Sequence, residues 1–149
     1  MAVPSPVKIT KNGVEYISKV DRTKYTLQEL TRAALKDVGK LLRKRMIEKF
    51  RELPGMKKHK RIYRSTQFWV RKQEGDLVIG LKHGTWYGAD SELGSSNQPK
   101  RGIVRDTTFA HIEDIRRIEG QYLQYIEDEN KALGIIDESE GTGDDDSAD

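Results

Sequence analysis

Cysteine is absent from the 149-residue chain, which excludes disulfides, thiol nucleophiles, iron–sulfur clusters and cysteine-ligated zinc, and fits a reducing compartment. Apolar residues are scarce, 35% against 34% charged, and no run approaches the ~20 apolar residues of a membrane-spanning helix. The opening Met1-Ala2-Val3-Pro4-Ser5-Pro6 carries no apolar secretion signal. These deficits lead to the expectation of a soluble protein, retained in the cell that makes it, with a single domain and a modest core.

The residue patterns of common catalytic sites are missing too. His59, His83 and His111 fall on a basic loop, a strand end and a helix, without HxxxH or HxH spacing, so no metal site is expected. Gly94-Ser95-Ser96-Asn97 is not a GxSxG nucleophile elbow, and no glycine pattern fits a P-loop or a dinucleotide fingerprint. Asp90 and Glu92 lie close enough to act as an acid and base, but nothing beside them supplies a nucleophile, and turn or capping roles suit them better. No enzyme and no cofactor are expected.

What the chain has in quantity is positive charge, unevenly placed. The formal net charge is +3, yet residues 137–149 contain seven acids and no base, leaving 27 Lys and Arg against 17 Asp and Glu, or +10, for the remainder. Thirteen of the basic residues lie between Lys40 and Lys72, where the only acids are Glu48 and Glu52. Within that stretch Lys57, Lys58, Lys60, Arg61 and Arg64 are interleaved with Tyr63, Phe68 and Trp69. Such a surface neutralises phosphates while aromatic rings stack on bases. The plainer alternative is that Phe68 and Trp69 divide between the core and solvent faces of a strand and the lysines only solvate a loop.

Periodicity orders the chain into an arm, a long helix, strands, a long loop, a helix and a tail. Residues 1–25 are read as an arm or small hairpin, with Val7–Thr10 and Val14–Ile17 on either side of Asn12-Gly13, a pair that favours the positive φ angles of a tight turn. Thr26-Leu27-Gln28-Glu29 is a capping-box pattern and is expected to start a helix. Its apolar positions Leu27, Leu30, Ala34, Val38, Leu41, Leu42, Met46 and Phe50 recur at helical spacing until Pro54-Gly55. The period then falls to two over Thr66–Arg71 and Leu77–Leu81, around a turn at Glu74-Gly75-Asp76, an antiparallel hairpin.

Trp86-Tyr87 opens a third strand or a short helix, and Ser91–Gly102 reads as a long loop. A last helix is expected from Asp106 or Thr107 to Gly134, and the acidic residues 137–149 as disordered. The fold class is therefore α+β: a long N-terminal helix and a C-terminal helix packed on a small antiparallel sheet, in one domain over 26–136.

The residues around the long loop are the most specific in the chain. Trp86-Tyr87 is followed by Glu92-Leu93-Gly94-Ser95-Ser96, a spacer ending in Pro99, then Lys100-Arg101-Gly102-Ile103 and a helix. This resembles the tail-completion or head-tail joining (neck) proteins of long-tailed bacteriophages, small α+β proteins with an aromatic pair, a Glu-aromatic-Gly-Thr/Ser-Ser segment and a Pro/Arg-rich turn before the last helix. The likeness runs from about Leu27 to Leu133. Leu93 stands where that family usually has Phe, Gly102-Ile103 where Pro-Phe is common, and the basic Met56–Arg61 run replaces a Pro-Val-x-Thr-Gly type of loop.

The resemblance implies a non-enzymatic ring, a hexamer, joining the DNA-filled head to the tail. Its partners would be copies of itself, head connector or portal-side proteins and the tail-tube protein, with non-specific contact to passing DNA and no membrane. The particle is assembled in the host cytoplasm and the protein stays in the virion. Glu92, Gly94, Ser95, Ser96, Pro99 and Arg101 become the expected subunit or partner contacts, and Lys57, Lys58, Lys60, Arg61 and Arg64 the expected DNA-facing surface. For Glu92 two roles stand side by side, an ion pair with a neighbouring subunit's Arg and an intramolecular cap or salt bridge. A different class of function, a basic nucleic-acid-associated regulator screened by its acidic tail, fits the same charge distribution.

Overall fold

Asn12 and Gly13, with φ angles of 51° and 78°, make the left-handed pair that a two-residue hairpin turn requires. They join β1 (Val7–Lys11) to β2 (Val14–Ser18) in antiparallel register, Ile9 opposite Tyr16. The computed structural model describes residues 3–54, 62–128 and 131–136 of the chain. The expected disorder of residues 137–149 lies outside the described residues. So do Lys57, Lys58, Lys60 and Arg61.

Only Lys19 separates β2 from α1 (Val20–Glu52), a 33-residue helix about 50 Å long at the ordinary helical rise. It begins six residues before the capping-box pattern at Thr26. Asp21 sits in the first turn, where a carboxylate complements the helix dipole. Thr26, now mid-helix, donates its hydroxyl to the Arg22 carbonyl at 3.0 Å. Glu29 does not reach back to Thr26. Its buried carboxylate lies 3.5 Å from Arg32 and 3.6 Å from Lys72, a cation brought in by the strand pair. Short-range pattern suggested a cap, and a tertiary cation took the acid instead.

From Leu30 on, the apolar stripe behaves as its spacing dictates, while Leu27, counted with it, is exposed in the first turns and Leu41 is half-buried at its edge. Leu30, Ala33, Ala34, Val38, Leu42, Met46 and Phe50 are buried, each of the larger ones contributing about 1.5–3 kcal/mol by leaving water. One half of the stripe, Val38 to Phe50, carries the main core with Ile62 and Ile103, against which Leu77, Ile79, Leu81, Ile115 and Ile118 pack. The other half, at Leu30, packs against Ala132 and Ile136.

A single 3-10 turn, Ile62–Ser65, leads into β3 (Thr66–Arg71), which pairs antiparallel with β4 (Asp76–Leu81) through a turn at Gly75, φ 65°. The antiparallel strands thus form two separate two-stranded ribbons, β1–β2 and β3–β4. Only β3–β4 lies on α1, where Arg43 Nε donates to the Thr66 carbonyl at 3.0 Å. Phe68 faces inward onto Gly39. Trp69, one residue on, faces out at 68% exposure, the alternation that a half-buried strand imposes.

The Trp86-Tyr87 segment is a short helix, α2 (Trp86–Leu93), and the expected last helix is divided. α3 (Ile103–Ala110) starts three residues before Asp106, and α4 (Ile112–Gln124) follows after a break at His111. The His111 Nδ1–H donates to the Thr107 carbonyl at 2.8 Å, taking an acceptor freed at the end of α3. A 3-10 turn (Tyr125–Glu127) and a final helix, α5 (131–136), complete the described chain. Tyr122 of α4 donates its hydroxyl to Asp37 of α1, fixing one helix on the other. Among the described residues no helix is long and apolar enough to cross a membrane.

The Phe68–Gly39 contact leaves no room for a side chain. A Cβ built on Gly39 would stand 2.7 Å from Phe68 Cγ. Alanine would raise helix propensity by about 1 kcal/mol, but overpacking of this kind costs typically about 1–3 kcal/mol. Gly39→Ala is therefore expected to lower the thermal midpoint measured by circular dichroism, and Phe68→Leu in the same chain to recover part of the loss. A midpoint raised by Gly39→Ala alone would show that the ring gives way freely.

Candidate functional site

The residues that carry the phage resemblance form one continuous structural unit between β4 and α4. α2 ends at Gly94, whose φ of 85° lies in the region that favours glycine. A Cβ there would stand 3.0 Å from the Lys100 backbone nitrogen, so the returning chain also requires a glycine at this position. Ser95 and Gln98 then close a tight turn through reciprocal backbone hydrogen bonds of 2.9 and 3.3 Å. The Arg101 amide donates to the Ser91 carbonyl at 2.9 Å, and Gly102, φ 58°, turns the chain into α3.

Glu92 locks this unit. Its carboxylate accepts the Val104 amide at Oε2 and the Arg105 amide at Oε1, each at 3.1 Å. Those are free donors at the start of α3, and an anion there is favoured by both the unpaired N–H groups and the helix dipole. Gly102, at the position before the helix, has no side chain to offer them. Glu92 thus caps α3 from a different element, ten or more residues earlier in sequence. Of the two roles open to it, the geometry is that of the intramolecular cap.

The other expected contact residues divide by exposure. Ser95, Ser96 and Pro99 are exposed and Arg101 is half-buried. Leu93 joins them with 72% exposure, an apolar side chain at the rim of the loop. Ser91 is buried, and its hydroxyl has no hydrogen-bond partner among the described residues.

The basic surface is only partly on view. Of its five expected members Arg64 is described, exposed in the 3-10 turn before β3. Nearby, Arg51 of α1 lies over the Tyr63 ring at 4.9 Å, a cation–π contact that occupies both. Among the described residues no three His, Asp or Glu side chains converge as metal ligands. His59 lies outside the described residues.

Two further features of the surface stand out: a solvent-facing Trp69, as strand alternation leads one to expect, and an apolar ribbon face that was not singled out from the sequence. The outer face of β3–β4 presents Trp69 beside Val78, with the Arg71–Asp76 pair at its end; Arg71 Nε donates to Asp76 Oδ1 at 2.7 Å and a second nitrogen engages Oδ2. The β1–β2 ribbon exposes Val7, Ile9, Val14 and Tyr16. The signal for the latter was legible as strict alternation in Val7-Lys8-Ile9-Thr10, which marks one face as apolar.

The Arg71 hydrogen bonds hold the Asp76 carboxyl below its ordinary value of 3.8, outweighing desolvation, and the Arg71 charge adds to the lowering. A carboxyl whose pKa is lower in the folded chain stabilises the fold above its unfolded pKa, and that contribution is lost as pH falls through the folded value. Asp76 is therefore expected to titrate below the exposed carboxylates when followed by NMR. In Arg71→Gln its pKa should move up towards the ordinary value, and an identical titration in both chains would mean that the pair is not held in solution.

For Glu92 the cap leads to a stability effect. Glu92→Ala should cost about 1 kcal/mol, roughly 3–5 °C in thermal midpoint, with Glu92→Gln losing less because its amide oxygen still accepts. Equal melting of all three chains would place the carboxylate in solvent.

No protein-family model, no curated protein and no solved structure matches this chain.

Proposed function

We propose that the chain is a non-enzymatic structural component of a phage particle, a ring subunit joining the DNA-filled head to the tail. The ring is a hexamer, its partners the head connector or portal-side proteins and the tail-tube protein, and its place is the virion. The observation that carries this reading is the unit from Glu92 to Ile103. Three residues quoted for the resemblance have specific local roles: Glu92 caps α3, Gly94 admits the Lys100 backbone and Ser95 closes the turn. A motif that merely coincided in letters would not be required to build one turn-and-cap device. With Glu92 engaged inside the chain, contacts to a neighbour fall to the exposed Leu93, Ser95, Ser96 and Pro99.

The charge supports the same reading, since a ring around passing DNA faces a dense line of phosphates and gains from a basic lining. The excess of +10 before residue 137 equally favours the second reading, a nucleic-acid-associated regulator. The two separate on one experiment. The purified chain is mixed with tail tubes and DNA-filled heads made from the genes that neighbour its own, and imaged by electron microscopy. In parallel its DNA affinity is followed against salt. The joint predicts rings at tube or head ends and weak, sequence-independent DNA binding. Lys57, Lys58, Lys60 and Arg61 changed together to Gln should then flatten the salt slope by up to about 4. Absence of rings, with a preferred DNA sequence that survives high salt, would replace the joint by the regulator.

A further inference from the structure

The register of β3–β4 puts Gln67, Trp69 and Arg71 on the outer face of one strand, opposite Gly80, Val78 and Asp76 of the other. The Lys82 amide donates to the Ser65 carbonyl at 2.8 Å, which carries the ladder one pair further, so Lys82 stands on that face too. Trp69 is the centre of the row. Its indole is 68% exposed, and nothing lies within 4 Å of a Cβ built on Gly80, so the ground diagonal to the ring is open.

The charge around this row comes from α1 and from the end of the ribbon. Thr66 follows Ser65 and so turns its carbonyl away from β4, where Arg43 Nε donates to it at 3.0 Å. Beyond the other end of β3, Lys72 reaches Glu29 at 3.6 Å. These two contacts lay one side of α1 along the free edge of β3, and between them, at helical spacing on that side, come Arg32, Lys36 and Lys40. The acids of the surface are already engaged: Glu29 by Arg32 and Lys72, Asp37 by Lys40, and Glu74 and Asp76 by Arg71. At the ribbon end Arg64 and Lys82 are exposed, and no described acid pairs with either. The result is an exposed aromatic platform with a positive rim.

We infer that this surface binds single-stranded nucleic acid, with one base stacked on Trp69 and the flanking phosphates on Arg64, Lys82 and the α1 row. An indole held in water among cations suits a single strand, whose bases are free to stack on a ring, and not a duplex, whose bases stack on one another. An apolar protein partner would cover Trp69 and Val78 but bury the rim cations without partners, which is costly. A polyanion with flat apolar faces satisfies both parts of the surface. The inference depends on neither the joint nor the regulator, since neither requires a preference for single strands.

The test uses the full chain and a labelled oligo(dT) of about 15 nucleotides, alone and as its duplex with oligo(dA), followed by fluorescence anisotropy over a salt series. The single strand is expected to bind more tightly than the duplex. Trp69→Ala should weaken it by about fivefold or more without changing the salt slope, because a stacked base releases no counterions, and Trp69→Phe should keep most of the affinity. Arg64→Gln with Lys82→Gln should instead lower the slope by about 1.4. Polyphosphate, which has the charges but no bases, should bind the parent and Trp69→Ala alike. Equal single-strand affinity for the parent and Trp69→Ala, or a duplex bound as tightly as the single strand, overturns the inference and leaves both readings of function standing. A loss in Trp69→Ala that polyphosphate shares marks a damaged surface in place of a lost stack and overturns it too. Absence of binding to every oligonucleotide overturns it together with the DNA contact of both readings.

Discussion

The apolar stripe of α1 from Leu30 to Phe50 is the surface on which the rest of the described body is buried. The 3-10 turn and β3–β4 lie on its second half with α3 and α4, and α5 lies on its first half. A two-stranded ribbon such as β3–β4 is not stable by itself, and α3 is only eight residues long, below the length at which isolated helices hold in water. Both depend on α1 for burial. The closeness of approach is set by Gly39, which lets the Phe68 ring lie directly on the helix backbone.

Two carboxylates show how packing reassigns chemistry that looks local. Glu29 sits three residues after a threonine, the spacing of a capping box, yet it is the one buried acid among the described residues, held by Arg32 and by Lys72 arriving on the β3–β4 turn. Removing a partner from a buried pair leaves an uncompensated charge, so Lys72 ties the strand pair to the first half of α1. Glu92 looked available to another subunit, yet it satisfies two amides that α3 cannot satisfy for itself. Many of the remaining ion pairs are exposed and join residues three apart on one helix, such as Arg116–Glu113 and Arg117–Asp114, and pairs of that kind contribute little.

The body is packed inside, although the buried hydroxyls of Thr66, Ser91 and Thr107 have no hydrogen-bond partner among the described residues, and it leaves large apolar side chains outside. Its exposed large apolar side chains lie on β1–β2, on the outer face of β3–β4 and at Leu93, and also on α1 at Val20 and Leu27, on α3 at Phe109 and on α4 at Leu123. In a chain with so few apolar residues, placing several of them in water is costly unless another surface covers them. That economy suits a subunit whose core is completed by its neighbours, and it supports the reading of an assembly component over that of a self-sufficient domain.

The sequence by itself determined the elements whose signals are local and repeated. The stripe of α1 from Leu30 to Phe50 follows from helical periodicity, its end from Pro54, the first hairpin from Asn12-Gly13, and β3–β4 from alternation around Gly75. Each of these rests on backbone preferences or spacing within a few residues. Tertiary structure decided what depends on partners far along the chain. It moved the start of α1 to Val20, because nothing in Val20–Tyr25 opposes a helix and Glu29 was needed elsewhere. It started α3 at Ile103, because the cap came from Glu92 across a turn, and it broke the last helix at His111. It also split the strands into two ribbons, of which β3–β4 packs on α1. A single sequence records which side chains are apolar, but the surface that an apolar face meets is a property of three-dimensional packing, and among the described residues none covers the Val7, Ile9, Val14 and Tyr16 face of β1–β2.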